Sequence, residues 1–256
     1  MNQLILRNFV PRFLHNLLWG NRKRWGLKVI PTDTDWKKYQ DVMGEFYAAT
    51  QRSGIGSIVN NSGYRAVADI NLAGKVVLEI GAGDIQHFQY WVGRPEKYII
   101  SDISSEMMER AKSRLELNNV PCDVLMLERE EPLPLPDQSV DLILSFYSLE
   151  HLYPLAPYLE DMLRVLKPGG ALVGAIPAEG GVAWGLGRAL TSRRWFKRNT
   201  TIDPDKIICW EHPNFADQIL NELDVSMDRQ RISFWPLSWV KLLDINLIIR
   251  FHYRRV

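Results

Sequence analysis

The stretch Lys75–Asp84, KVVLEIGAGD, limits the fold more than any other part of the chain. Val76, Val77, Leu78 and Ile80 make a short apolar run of the kind found in a strand covered on both faces. The run ends in Gly81 and Gly83. Glycines there permit a sharp turn and let a ligand approach the backbone with no Cβ in the way. Such a corner is the first strand-to-helix turn of a Rossmann-like sheet, where backbone N–H groups face a nucleotide. Asp102, closing the strand KYIISD, follows the glycines by about 20 residues, the separation at which a carboxylate meets ribose hydroxyls. Dinucleotide enzymes share both features, but their GxGxxG pattern needs a third small residue, and Gln86 stands in its place. The nicotinamide reading loses ground.

Strands and helices alternate downstream, which predicts a parallel sheet. Tyr98–Ile100 reads as strand two, Ser104–Asn118 as a helix and Asp123–Leu127 as strand three. A loop follows through Glu128–Glu131 and PLPLPD, because repeated prolines block helix and ladder alike. Asp141–Phe146 reads as strand four, Ala156–Leu166 as a helix ahead of Lys167-Pro-Gly-Gly170, and Ala171–Ile176 as strand five. Upstream, residues 1–30 predict one amphipathic helix followed by a basic turn, with Ile5, Phe9, Phe13 and Leu17 at helical spacing. Asp35–Thr50 predicts another helix, capped by Thr34 or Asp35 and followed by a flexible polar stretch, 52–57. Residues 178–213 break the alternation; Asn214–Leu223 then reads as a helix, and Val225–Trp235 and Ile245–Arg254 as strands.

Four segments in order, LEIGAG, SDISSEMMERAK, PLPLPDQSVDLILSFYSLEHL and LRVLKPGGALVGAIP, resemble the successive motifs of class I S-adenosylmethionine-dependent methyltransferases. The nearest group is the broad bacterial set acting on small molecules, quinones and sugars among them. The resemblance runs from Val76 to Pro177. It implies an α/β fold, a Rossmann-like doubly wound seven-stranded sheet, mostly parallel with an antiparallel terminal strand, plus an N-terminal helical lid. The implied division is a lid over 1–65, a cofactor-binding core over 66–177, a substrate cap over 178–213 and sheet completion over 214–256. The implied activity is methyl transfer from S-adenosyl-L-methionine to an oxygen or nitrogen of a small acceptor, such as a sugar, a secondary metabolite or a lipid-linked intermediate. One departure stands out: Ile85 occupies the last position of the family's GxGxG, so a changed turn into the first helix is expected.

On the family pattern Gly81, Ala82 and Gly83 line the methionine and ribose portions, and Glu79 orders the amino group directly or through water. Asp102 accepts from the ribose, Ile103 and Met107 pack on adenine, and Ser145 and Phe146 border the cofactor. The acidic residue expected after strand three is assigned to Glu130, beside Arg129. Lid residues Tyr47, Gln51 and Arg52 are candidates for the methionine end. In-line methyl transfer needs alignment and exclusion of water, with neither a metal nor a covalent intermediate. Acid–base candidates are His151, Glu150 and His212; a histidine near neutral pKa can take a hydroxyl proton as the methyl arrives. Each could equally orient its loop. The competing functions are an NAD(P)-dependent oxidoreductase and a catalytically silent fold that binds cofactor or a partner.

The 256 residues carry a net charge of +1, so no general attraction to nucleic acid is implied. Two cysteines without a disulfide framework or secretory signal point to a cytoplasmic protein. Charge is unevenly spread: residues 1–30 hold six Arg and Lys and no acid, and 180–202 hold five cations around Trp195 and Phe196, again without an acid. The second cluster could meet a phosphate or carboxylate of the acceptor, or simply be a solvated surface. For the N-terminal helix the favoured expectation is packing on its own domain or on a second subunit of a homodimer. The alternative is peripheral contact with a membrane, with Trp19 and Trp25 at the boundary.

Overall fold

The computed structural model describes residues 5–50, 54–126 and 131–256. Seven strands form one sheet: β1 (Val76–Ile80), β2 (Lys97–Asp102), β3 (Cys122–Met126), β4 (Val140–Phe146), β5 (Leu166–Pro177), β6 (Asp228–Trp235) and β7 (Ile248–Arg254). Their order is β3-β2-β1-β4-β5-β7-β6. The first five are parallel, and β7 runs antiparallel to both β5 and β6. Strand order reverses between β1 and β4, and the crevice beyond the carboxyl ends of those strands is where open α/β sheets take ligands.

Short helices α1 (Arg12–Trp19) and α2 (Arg22–Trp25) lead into α3 (Thr34–Thr50) and α4 (Gly54–Tyr64). Helix α5 (Ser105–Leu117) follows β2, and α6 (Leu155–Val165) precedes β5. Then come α7 (Val182–Leu190), α8 (Ser192–Asn199), α9 (Pro204–Glu211) and α10 (Ala216–Ser226). Both faces of the sheet are covered. Val59 of α4 and Met108, Ala111 and Leu115 of α5 pack on one side, while Leu159 and Met162 of α6 and Ile219 and Leu223 of α10 pack on the other. This two-sided burial is why β1 and β4 read as near-continuous apolar runs, broken by Glu79, Asp141 and Ser145, rather than as alternating ones.

Local chemistry sets the ends of these elements. Ser104 Oγ accepts from Met107 N at the start of α5, and Asp203 Oδ1 accepts from Asp205 N before Pro204 opens α9. Two expectations need correction. The single N-terminal helix is instead a 3-10 turn, Leu6–Phe9, followed by α1 and α2, because Pro11 starts a new helix and Gly20, at φ 80°, ends it. From Gly54 onward the polar stretch is helical, as the first turn of α4, although glycine and serine weaken helix propensity there.

The crossover from β1 to β2 carries no α-helix. Ile85 takes a left-handed conformation, φ 51° and ψ 53°, with its side chain fully buried, and a 3-10 turn over Gln86–Tyr90 follows. A β-branched residue there costs about 1–2 kcal/mol, which burial of its side chain, worth about 1.5–3 kcal/mol, offsets. Its carbonyl is held by Arg114 Nη1 of α5 at 2.8 Å.

Segments 178–213 and 34–50 pack on each other around a separate aromatic cluster of Trp36, Tyr39, Phe46, Phe196 and Trp210. Among the described residues, no helix is long and apolar enough to cross a membrane.

Candidate active site

The glycine corner sits at the reversal point. Gly81 and Gly83 both have positive φ, 69° and 52°, and the N–H groups of Gly81 and Ala82 donate to the Ser101 carbonyl of β2 at 2.8 and 3.1 Å. A Cβ on Gly81 would fall 2.3 Å from Ser148 Oγ, whereas one on Gly83 would meet nothing within 4 Å. Gly81 is therefore needed for packing, and Gly83 faces open space. Ser148 Oγ donates to the Ile80 carbonyl at 2.8 Å, tying the loop after β4 to the corner.

Asp102 lies at the carboxyl end of β2. Its Oδ2 accepts from Gly83 N at 3.0 Å and its Oδ1 from Ser104 N at 2.9 Å, so the carboxylate is oriented by the corner it faces. Ile103 beside it is 62% exposed, an apolar side chain left uncovered next to a carboxylate. Met107 is half-buried one turn into α5. At the end of β4, Phe146 is buried against His87 and Tyr64, and Ser145 Oγ is buried with no hydrogen-bond partner among the described residues. Gly81, Ala82, Gly83 and Asp102 thus meet at the carboxyl ends of β1 and β2, with Ser145 paired to Ile80 and Phe146 following it at the end of β4. Glu130 lies outside the described residues, as do Gln51 and Arg52.

Glu79 is held by partners within the protein. It is 1% exposed; its Oε1 is 2.7 Å from His87 Nε2, and its Oε2 accepts from Tyr98 OH at 2.5 Å. Trp91 Nε1 donates to His87 Nδ1 at 2.9 Å, so the proton of a neutral His87 sits on Nε2 and is given to Glu79. Burial, then the Glu79 charge, push the Tyr98 hydroxyl pKa well up and keep it a donor. Each carboxylate oxygen accepts one hydrogen bond and keeps a further lone pair. The network braces the reshaped β1–β2 crossover. The Tyr47 hydroxyl is hydrogen-bonded with Tyr39 and Glu211, joining α3 to α9.

A second cluster lies beyond β4. His151 Nδ1 donates to the Glu211 carbonyl and lies 3.6 Å from Glu211 Oε2; in the uncharged form of the ring, Nε2 then carries the lone pair, and the side chain is one-third exposed. The His212 ring crosses it edge-on at 4.8 Å. His212 Nδ1 is 3.2 Å from Glu179 Oε2 but poorly aligned for a hydrogen bond, and burial, then Arg188, push the ring's pKa down to about 3. His212 therefore stays neutral with its outlook inward, a poor position for a base. Glu150 is fully buried, and burial pushes its pKa up to about 7. Its Oε2 has no hydrogen-bond partner among the described residues.

Glu179, at 0% exposure, anchors the cluster. It takes both Arg188 guanidinium nitrogens and accepts from Trp184 Nε1 at 2.9 Å. Burial alone would raise its pKa; Arg188 and His212 override that and hold it far below the usual carboxylate range. Glu179, Arg188, Glu211, His87 and Tyr98 were missed from the sequence. The one visible signal was Glu211 beside His212 in WEHPN. Among the described residues no group of three or more His, Cys, Asp or Glu is arranged to hold a metal.

Known proteins agree with this geometry. A family model described as "Methyltransferase domain" matches residues 78–174. The chain is 30% identical over 160 residues to the ubiquinone/menaquinone biosynthesis C-methyltransferase UbiE of Marinomonas sp., covering 58% of this chain and 62% of that protein. It is 33% identical over 116 residues to a malonyl-(acyl-carrier protein) O-methyltransferase of Yersinia pestis, covering 43% and 42%. It thus spans less than two thirds of either relative. An S-adenosylmethionine-dependent methyltransferase of Mesorhizobium loti shares the fold at TM-score 0.53 and 18% identity, covering 79% of this chain and 100% of that one. Residues 78–174 thus match a methyltransferase domain, and the chain has the fold of an S-adenosylmethionine-dependent methyltransferase.

The crevice suits S-adenosylmethionine. Open space over Gly83, an oriented Asp102 carboxylate and the uncovered Ile103 side chain lie together at the carboxyl end of β2, a set that fits an adenosyl group.

Proposed function

We propose that this protein methylates an oxygen nucleophile on a small-molecule acceptor, with His151 as general base. Bound S-adenosylmethionine supplies an activated methyl group on a sulfonium. Gly83 and Asp102 would hold its methionine–ribose portion and Ile103 and Met107 its adenine, while Ser145 and Phe146 would border it. The observation that carries the reading is the His151 tautomer. With Nδ1–H given to the Glu211 carbonyl, Nε2 is left to accept a hydroxyl proton in the loop that Ser148 ties to the glycine corner. An amine acceptor would need no such base. Glu211 is also the partner of Tyr47 and Tyr39, so α3 bears on the carbonyl's own residue and supports the ring's orientation. Hydroxyls of sugars, phenols or lipid-linked intermediates fit this chemistry, and the two curated relatives are named for C- and O-methylation.

The test is incubation with methyl-labelled S-adenosylmethionine and a panel of hydroxyl- and amine-bearing acceptors. Label is expected in hydroxyl compounds. His151→Gln should lose turnover by about 100-fold or more while keeping its affinity for S-adenosylhomocysteine. Label confined to amines, or full turnover by the variant, would overturn the assignment.

A further inference from the structure

The apolar stripe of the N-terminal segment faces outward. Leu18 and Trp19 turn into the protein, where the Trp19 indole donates to the Gly181 carbonyl at 3.3 Å. Phe9 and Phe13 are each 72% exposed, with Leu17 beside them on the outer face. The segment is not loosely attached. Arg7 pairs with both Asp217 oxygens at 3.1 and 2.9 Å, Arg22 donates to the His212 and Pro213 carbonyls, and Arg193 Nη2 donates to the Asn16 carbonyl at 2.8 Å. These clamps hold the stripe toward solvent. The expectation that it packs on its own domain fails for this face, and Trp19 and Trp25 lie within the protein rather than at a boundary.

Two other apolar edges adjoin it. The buried Asp244 carboxylate accepts from Leu6 N at 3.0 Å and from Val182 N at 3.1 Å, fastening the start of the chain, α7 and the loop 236–245 at one point. Leu18 packs on Gly185 of α7, where an added Cβ would come within 2.9 Å of the Leu18 Cβ. On the outer side of α7, Leu186 and Leu190 are exposed one turn apart. In the loop, Leu242 and Ile245 flank Asp244 in an exposed state, and Trp239 is 77% exposed. Three segments joined at one carboxylate thus each offer uncovered apolar side chains, more than the scattered singles a soluble surface carries.

Two of these segments carry charge of one sign. Residues 5–32 and 180–202 contain no Asp or Glu. The cations used internally, Arg7, Arg22, Arg188 and Arg193, are accounted for above. Arg12, Lys23 and Arg24 on one side and Arg194, Lys197 and Arg198 on α8 are exposed, and none forms an ion pair among the described residues. Exposed phenylalanine, leucine and tryptophan with an acid-free cationic surround match the chemistry of an anionic bilayer interface, where apolar tips enter the acyl boundary and cations meet head groups. We propose that this face docks the protein on an anionic lipid membrane. The inference stands independently of the methyl acceptor.

Flotation of the full chain with phosphatidylcholine vesicles, with and without phosphatidylglycerol, tests it. The protein should float with the anionic vesicles and do so less as salt rises. Phe13→Glu and Trp239→Glu should each cut vesicle affinity by about tenfold or more while leaving the melting temperature and S-adenosylhomocysteine affinity unchanged. The double variant Arg194→Gln with Lys197→Gln should weaken binding to anionic vesicles alone. Failure to float with either vesicle, or flotation indifferent to both Glu variants, would overturn the proposal. So would a dimer in sedimentation that Phe13→Glu dissolves in a protein that binds no lipid, because a second copy would then cover the face.

Discussion

Replacing Arg188 with Met should lower the melting temperature by about 6–20 °C at neutral pH. Arg188 gives two hydrogen bonds to Glu179, whose side chain has no exposure, and after the substitution Trp184 is the remaining side-chain donor, with the offset His212 and the Arg22 charge also near that carboxylate. Removing one partner of a buried pair costs about 3–5 kcal/mol, and a chain of this size shifts by about 2–4 °C per kcal/mol. The pH dependence carries the sharper test. In the intact protein the Glu179 pKa is held below its unfolded value, so the pair's contribution is present above the usual carboxylate range and is lost as pH falls. Without Arg188, burial raises that pKa and the carboxyl can protonate. The deficit relative to the intact protein should therefore shrink between neutral pH and about pH 4.5. Scanning calorimetry across that range decides it. A deficit below about 2 °C at neutral pH, or one that does not shrink in acid, would refute the reasoning.

Three further outcomes are expected. Gly81→Ala should melt well below the intact protein because its Cβ would strike Ser148 Oγ at 2.3 Å, whereas Gly83→Ala, with nothing within 4 Å, should fold at a cost of about 1–2 kcal/mol. Gly83→Ala should show its loss in S-adenosylhomocysteine affinity instead, and equal melting of the two variants would contradict this division. Glu150 has a folded pKa of about 7, above its unfolded value of 4.5, so its charge destabilises the protein progressively as pH rises through that window. Glu150→Gln should accordingly gain on the intact protein by up to about 3 kcal/mol between pH 4.5 and pH 8, and a pH-independent difference would count against a buried carboxylate there.

The sheet was legible because its strands advertise their burial. Val76–Ile80 and Val140–Phe146 are buried on both faces and mostly apolar, and the glycines and Asp102 punctuate them at fixed distances. Strand β5 proved longer than its apolar part, starting at Leu166, because Lys167-Pro-Gly-Gly170 reads as a turn yet lies beside the chain's end, where Gly169 N donates to the Arg255 carbonyl. The first crossover was only half legible: Ile85 signalled a changed turn, but the 3-10 turn that stands there leads into Trp91, which stacks on Tyr98 of β2, a contact that local spacing does not show. The acid–base cluster was least legible. His151 meets Glu211 across 60 positions of sequence, and spacing rules reach only a few residues. Periodicity found the Phe9–Phe13–Leu17 stripe but could not say which way it faces, since that depends on the clamps from Asp217, Asp244 and Gly181.

The central claim is that the glycine corner and Asp102 together hold S-adenosylmethionine. Calorimetric titration of the intact protein and of Asp102→Ala with S-adenosylhomocysteine, with NADH as the comparison ligand, tests it most directly. S-adenosylhomocysteine should bind, NADH should give no heat, and the substitution should weaken binding by about 5- to 150-fold, the equivalent of about 1–3 kcal/mol for a lost hydrogen bond to a charged group. Heat from NADH alone, or an affinity untouched by the loss of Asp102, would contradict the account.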